Sequence, residues 1–167
     1  MKPTDGAVAV TGAAGGVGSV AVAVLAQLGY KVTAVTGRPE QQDYHSSLGA
    51  TNFLTREEMS EAPKPLEAEN FAGAVDTVGS TMLAKVIAQT KYQGVVTACG
   101  LAGGVDLPST VMPFIPLRVR PQGIDPGMAP VAAREPAWPR LSTRLPPCLA
   151  AASTRLRPHA PRAHPAP

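Results

Sequence analysis

Through the first hundred residues of the chain, short continuous apolar runs alternate with segments whose apolar residues recur every three or four positions. Ala7 to Thr11 and Lys31 to Thr36 are β-branched, apolar runs of the kind that form strands buried on both faces of a parallel sheet. Between them Val17, Val20, Ala21, Val24, Leu25 and Leu28 fall at helical spacing, and Gly29 closes the segment. Together these form a β-α-β unit of about 30 residues, which folds with a right-handed crossover.

The alternation continues. Pro39 to Leu48 predicts a second helix, with Pro in its first turn and Gly49 at its end, followed by a short strand over Thr51 to Leu54. Arg56 to Asn70 is charged and carries Pro63 and Pro65, so it reads as a short helix and a surface connection. A strand is predicted over Ala74 to Val78, a helix over Ser80 to Tyr92 and a strand over Gly94 to Cys99, closed by Gly100 to Gly104. Strands alternating with helices in this order predict an α/β fold, a Rossmann-type doubly wound parallel sheet with helices on both faces. Beyond residue 113 the pattern decays. Pro116 and Pro121 fall in or beside the strand expected over Leu117 to Asp125, and Pro136 and Pro139 interrupt what would otherwise be a helix around Trp138. The expected division is a dinucleotide-binding domain over 1–125 and an irregular, poorly ordered tail over 126–167.

The candidate chemistry lies at the ends of the strands. Ala13-x-Gly15-x-x-Gly18 fills the phosphate-turn frame with Ala in its first place, flanked by Gly12 and Gly16, between a strand and a helix. Such a turn needs glycine for its tightness, for backbone approach to a pyrophosphate and for close helix-to-strand packing, and the helix beginning near Gly16 offers free N–H groups to the phosphates. At the end of the second strand an NAD site places an acid against the ribose hydroxyl; here the chain reads Thr36-Gly37-Arg38. A hydroxyl, a backbone N–H and a guanidinium favour NADP(H) over NAD, the alternative being Arg38 as a solvated residue before a helix. Arg56, after the third strand, is placed either to reach the same phosphate or the adenine face, or to pair with Glu57 or Glu58. Asp76-Thr77-Val78-Gly79 and Cys99-Gly100-Leu101 end the fourth and fifth strands at the carboxyl edge, where open α/β sheets bind ligands; ordinary turn chemistry is the alternative.

Composition removes other classes. Aromatics are 4% of the 167 residues, which suits a thin parallel sheet packed by small-faced helices. The net charge of +3 divides into −2 for residues 1–125 (nine Lys/Arg, eleven Asp/Glu) and +5 for residues 126–167 (six Arg, one Glu). Without a folded basic face or interleaved aromatics this does not describe a nucleic-acid binder. Two cysteines, Cys99 and Cys148, make neither a four-ligand zinc site nor a disulfide framework, so no metal is expected and a reducing cytoplasm is. Neither a signal-type apolar core nor a run of about 18 apolar residues is present, so no membrane partner is expected. His45, His159 and His164 share no metal-ligand or acid-base spacing, Cys99 reads as a core residue, and the catalytic residues are unknown. Tyr30, Tyr44 and Tyr92 each lack Lys four residues on, which argues against a short-chain dehydrogenase.

Several runs carry a more specific likeness: Val10 to Ser19, Ala34 to Arg38, Leu48-Gly49-Ala50, Ala74 to Gly79, Ala98 to Gly104, Leu107 to Ile115 and Gln122 to Asp125. Across about residues 3–125 the chain resembles the acryloyl-CoA reductase branch of the zinc-independent quinone oxidoreductases, within the medium-chain dehydrogenase/reductase superfamily. The resemblance implies a cofactor-domain fragment of a two-domain, NADPH-dependent enzyme that reduces the activated double bond of an enoyl- or acryloyl-type small molecule. It implies that Gly15, Gly16, Val17 and Gly18 bind the pyrophosphate, that Thr36, Gly37, Arg38 and Arg56 hold the 2′-phosphate end, and that the loop after Cys99, with Gly100 and Leu101, lies near the nicotinamide; Thr77, at the end of the fourth strand, is a further cofactor-binding candidate. It also implies an N-terminal catalytic domain outside this chain and dimerisation through the edge strand. Pro126-Gly127 stands where the family has Ser-Val, and the Pro/Arg/Ala-rich tail that follows has the composition of out-of-frame or decayed sequence. Two functional readings therefore stand side by side: the cofactor-binding part of such an enzyme, or a non-catalytic NADP(H)-binding module that senses the cofactor or pairs with a separate catalytic domain.

Overall fold

A computed structural model describes residues 1–125 and 127–145. Its centre is a six-stranded, all-parallel sheet in the order β3-β2-β1-β4-β5-β6. The strands are β1 (Ala7–Thr11), β2 (Val32–Thr36), β3 (Asn52–Thr55), β4 (Phe71–Asp76), β5 (Thr90–Ala98) and β6 (Arg120–Gly123). The helices are α1 (Gly16–Gln27), α2 (Gln42–Ser47), α3 (Arg56–Ser60), α4 (Ser80–Ala88), α5 (Val131–Arg134) and α6 (Ala137–Arg144). The strand order reverses between β1 and β4, which makes their carboxyl ends the ligand-binding edge of the sheet.

Because side chains alternate across a strand, the two faces of the sheet carry separate cores. Ala9, Val35, Ala74 and Val96 pack against Met59 of α3 and Met82, Val86 and Ile87 of α4. Val10, Val32 and Ala34 face the other way, against Val22 and Ala23 of α1 and Leu48 beyond α2. Each fully buried Val or Ile side chain here contributes about 1.5–3 kcal/mol.

The doubly wound sheet agrees with the sequence pattern, and the departures have local causes. The helix expected from Pro39 begins as a 3₁₀ turn, Pro39–Gln41, and becomes α-helical only at Gln42. β4 starts three residues earlier than its apolar run indicates, because Gly73 interrupts the pattern while remaining in the ladder. A Cβ there would lie 2.6 Å from the Val95 carbonyl oxygen. α4 stops at Ala88 instead of Tyr92, since Thr90 turns its hydroxyl back onto the Val86 carbonyl (2.7 Å) and enters β5. β6 is only four residues long and lies at the sheet edge, where Pro121 is tolerated. α6 corrects the expectation that Pro136 and Pro139 break the helix around Trp138. Pro136 is its N-cap and Pro139 its third residue, within the turn whose N–H groups have no helical acceptor in any case. The expectation of a poorly ordered tail falls, from residue 146 onward, outside the described residues, as do Cys148, His159 and His164.

Two polar features lie inside this fold. Lys85 on α4 is paired with Glu67 at 3.0 Å, and Glu67 also accepts from the Gln89 side chain (2.8 Å) and the Lys64 N–H (2.9 Å). Burial alone would raise the Glu67 carboxyl, but these donors together hold it below its ordinary range, and they pin the 64–70 connection to α4.

His45 is different. It is fully buried, and among the described residues neither ring nitrogen has a hydrogen-bond partner. Removal from water holds its pKa below the ordinary 6.5. Its neutral form is therefore the one compatible with folding: the stability it permits is complete above the unfolded value of 6.5 and declines as pH falls below it. His45→Leu is expected to stabilise the protein by about 1 kcal/mol and to flatten its acid sensitivity. Urea unfolding at about pH 7.5 and about pH 5.5 checks this, and a variant less stable at both would refute it.

Candidate functional site

The carboxyl ends of β1, β2 and β4 open onto a cavity of about 500 Å³. Its floor is the turn between β1 and α1. Gly12 takes φ +61° there, and a Cβ on it would sit 2.3 Å from the Thr77 hydroxyl oxygen. Gly18 packs still closer, since a Cβ would meet the Gly12 carbonyl oxygen at 2.2 Å and the Ala13 Cα at 2.8 Å. For Gly16, by contrast, such an atom has nothing within 4 Å beyond its chain neighbours and its own helix backbone, among the described residues. The three glycines thus serve different ends: Gly12 makes the turn, Gly18 lets α1 press onto it, and Gly16 leaves the approach open. α1 has Gly15 as its N-cap and no side-chain cap, so its first-turn N–H groups remain available to an anion.

The turn is held by β4. Asp76, fully buried, accepts from the Thr11 hydroxyl (2.6 Å) through Oδ1 and from the Gly79 N–H (2.8 Å) through Oδ2. Thr11 Oγ1 in turn accepts from the Thr77 N–H (3.0 Å), and the Thr77 hydroxyl donates to the Thr11 carbonyl (2.9 Å). Burial raises the Asp76 carboxyl above its ordinary value of 3.8, against the lowering effect of the Thr11, Gly79 and Val78 hydrogen bonds. Cys99 donates its N–H to the Asp76 carbonyl at 2.9 Å, and burial together with the nearby Asp76 charge pushes its thiol pKa upward, away from nucleophile behaviour.

At the far end of the cavity β2 and β3 run in register, with Thr36 opposite Thr55. The next residues, Gly37 and Arg56, therefore leave the ladder side by side, and the Arg56 guanidinium lies over Gly37. Thr36 turns its hydroxyl to accept the Arg38 N–H at 3.0 Å. Arg56 opens α3 behind a capping box in which Thr55 and Glu58 exchange hydrogen bonds. This box holds the Glu58 carboxyl below its ordinary range. Among the described residues neither Arg38 nor Arg56 makes an ion pair, and no acid lines the cavity. The expected alternative, an ion pair from Arg56 to Glu57 or Glu58, is not formed.

Of the residues singled out from sequence, Gly15, Thr36, Gly37, Arg38, Arg56 and Thr77 line this one cavity. Gly16, Val17, Gly18, Gly100 and Leu101 do not line it. Val17 points outward, 60% exposed, and Leu101 is likewise exposed. Gly18 and Gly100 are close-approach positions; a Cβ on Gly100 would lie 2.2 Å from the Thr77 carbonyl oxygen. Sequence reading missed Ser80, Thr81 and Met82 at the start of α4, and Ser60 at the end of α3. Gly79 and Ser80, which turn the chain into α4 there, both take positive φ (78° and 51°). Among the described residues no three His, Cys, Asp or Glu side chains gather as a metal site, and no described helix is long and apolar enough to cross a membrane.

Comparison with known proteins places these features among relatives. Residues 16–142 match the family model for zinc-binding dehydrogenases. Acrylyl-CoA reductase AcuI of Ruegeria pomeroyi is 56% identical over 147 residues, covering 87% of this chain and 44% of that protein. The yhdH oxidoreductase from Salmonella enterica, solved in complex with NADP, superposes with a TM-score of 0.86 at 56% identity, covering 90% of this chain and 46% of that one. Bacillus subtilis yhfP, solved with NAD bound, gives 0.85 at 41% identity, covering 90% and 46%. The chain spans about half the length of the relatives it matches, and the family match runs past residue 125, where the sequence likeness had been drawn to a close.

Proposed function

The chain belongs to the zinc-binding dehydrogenase family, and from that premise we propose that its sheet-edge cavity is the NADP(H) site of an oxidoreductase acting on acryloyl-CoA-type activated double bonds. One observation carries the cofactor assignment: a single cavity joins an uncapped helix N-terminus to two guanidinium groups without ion-pair partners among the described residues, and no acid lines it. The relatives differ on this point, one solved with NADP and another with NAD, so the adenosine end of this chain must decide it. A carboxylate there would repel a 2′-phosphate; Arg38 and Arg56 attract one.

The residues fit the group. The turn residues Gly12, Ala14 and Gly15, which line the cavity at the uncapped start of α1, take the pyrophosphate, Thr36, Arg38 and Arg56 hold the 2′-phosphate ribose, and Thr77, Ser80 and Thr81 lie farther along the cavity toward the β4 end. When bound, the nicotinamide supplies the hydride. The hydrogen-bonded frame of Thr11, Asp76, Thr77 and Gly79 keeps the strand ends from shifting as the cavity fills. The lining side chains are hydroxyls, aliphatics and two arginines, so this part of the enzyme binds and orients the cofactor.

NADPH titrated against the protein by nicotinamide fluorescence is expected to bind at least tenfold more tightly than NADH, about the effect of one charge-assisted hydrogen-bonded contact. Equal affinities would overturn the assignment. A parallel assay with NADPH and acryloyl-CoA bears on the two functional readings: turnover by the chain itself supports an enzyme, and binding without turnover that is restored when an N-terminal catalytic domain is supplied in trans supports a module that pairs with a separate catalytic domain.

A further inference from the structure

We propose that Gly37 is a specificity-determining position, because its missing side chain is the seat that aims Arg56 into the cavity. This rests on the NADP(H) reading above and goes a step beyond it. A Cβ at Gly37 would lie 2.9 Å from both Cζ and Nε of Arg56 and 3.1 Å from Nη2, so the guanidinium lies across the bare Cα. The parallel register of Thr36 with Thr55 brings the two residues together, and the capping box at Thr55 and Glu58 fixes the helical turn from which Arg56 projects. With its backbone thus held, Arg56 has its orientation set by what it lies against.

The position is well suited to a test. Gly37 does not occupy the left-handed region, so alanine meets no backbone strain. The three nearest atoms among the described residues all belong to the end of a flexible side chain, which can swing away. Gly37→Ala therefore leaves the fold intact and displaces Arg56 from the cavity. NADH, which has no phosphate for Arg56 to meet, is little affected.

The experiment is fluorescence titration of NADPH and NADH against the whole chain and three variants: Gly37→Ala, Arg56→Ala and the double variant. Gly37→Ala is expected to weaken NADPH about tenfold while changing NADH less than about twofold, with an unchanged thermal midpoint. The double variant is expected to bind NADPH no worse than Arg56→Ala alone, because both substitutions remove the same contact. If the parent chain prefers NADPH and Arg56→Ala weakens it, but Gly37→Ala does not, the seat is refuted and the NADP(H) reading stands. Additive losses in the double variant refute the seat as well. A parent chain indifferent to the 2′-phosphate fails the underlying reading instead.

Discussion

Gly18→Ala is expected to abolish measurable NADPH binding and to cost the fold about 3 kcal/mol or more, whereas Gly16→Ala, two residues away in the same turn, leaves stability unchanged or slightly higher. The difference lies in what a methyl group would meet. At Gly18 it strikes the Gly12 carbonyl oxygen and the Ala13 Cα, both backbone, at 2.2 and 2.8 Å. Relief requires α1 to back away from β1, which opens the packing of Val22 and Ala23 against Val10 and Ala34 and moves the helix N-terminus from the cavity. At Gly16 the methyl meets no described atom within 4 Å beyond its chain neighbours and its own helix backbone, and it replaces a glycine in the first turn of a helix. It faces the approach to the turn, so its effect falls on cofactor affinity. Urea unfolding and NADPH titration of the two variants side by side check this; equal stabilities would mean that α1 does not depend on the contact at Gly18.

Asp76→Ala is expected to cost about 3 kcal/mol and to weaken NADPH binding at least tenfold. The buried carboxylate is the shared acceptor for Thr11 and Gly79, and its loss strands a hydroxyl and an N–H away from water. The Gly79-Ser80 pair, held in left-handed backbone by that bond, is then free to relax, and Ser80 and Thr81 leave the cavity wall. Asp76→Asn loses part of the same frame, because one side of an amide presents a donor to a donor. The pH dependence has a definite sign. The folded pKa of Asp76 lies above 3.8, so the folded state holds its proton more tightly than the unfolded one does. Its contribution to stability is most favourable below that value and diminishes as pH rises through the folded pKa. Acidification from about pH 7 toward about pH 4 should therefore widen the stability advantage of the parent chain over Asp76→Asn. A gap that narrows instead would show that the carboxyl is not raised.

The phosphate turn shows how far local sequence carries. Gly15 and the strand-helix context of the turn were legible because a glycine cluster between a short apolar run and a helically spaced one has few other uses. The roles within the cluster were not, since Gly16 and Gly18 read alike and only their neighbours in space distinguish them. Val17 and Leu101 were included by adjacency, and each points away from the cavity. Ser80, Thr81 and Met82 were missed because nothing in their own sequence places the start of α4 opposite α3 and the end of β2.

What the sequence determined by itself was the order and kind of the elements and the turn chemistry between them: β1, β2 and β3 within a residue of their expected limits, α1 beginning at Gly16, and strand ends bearing Thr36-Gly37-Arg38 and Asp76-Thr77. These follow from periodicity, glycine and proline, which act over a few residues. Only the tertiary structure decided which strand ends are neighbours. Thr11 and Asp76, 65 positions apart, share a proton donor and acceptor because β1 lies beside β4. Arg56 rests on Gly37 because β3 lies beside β2 in one particular register. Periodicity reports which face of a strand is buried, and is silent on the strand it will pair with. That choice is made by the packing of the two cores, and the site is assembled as a consequence.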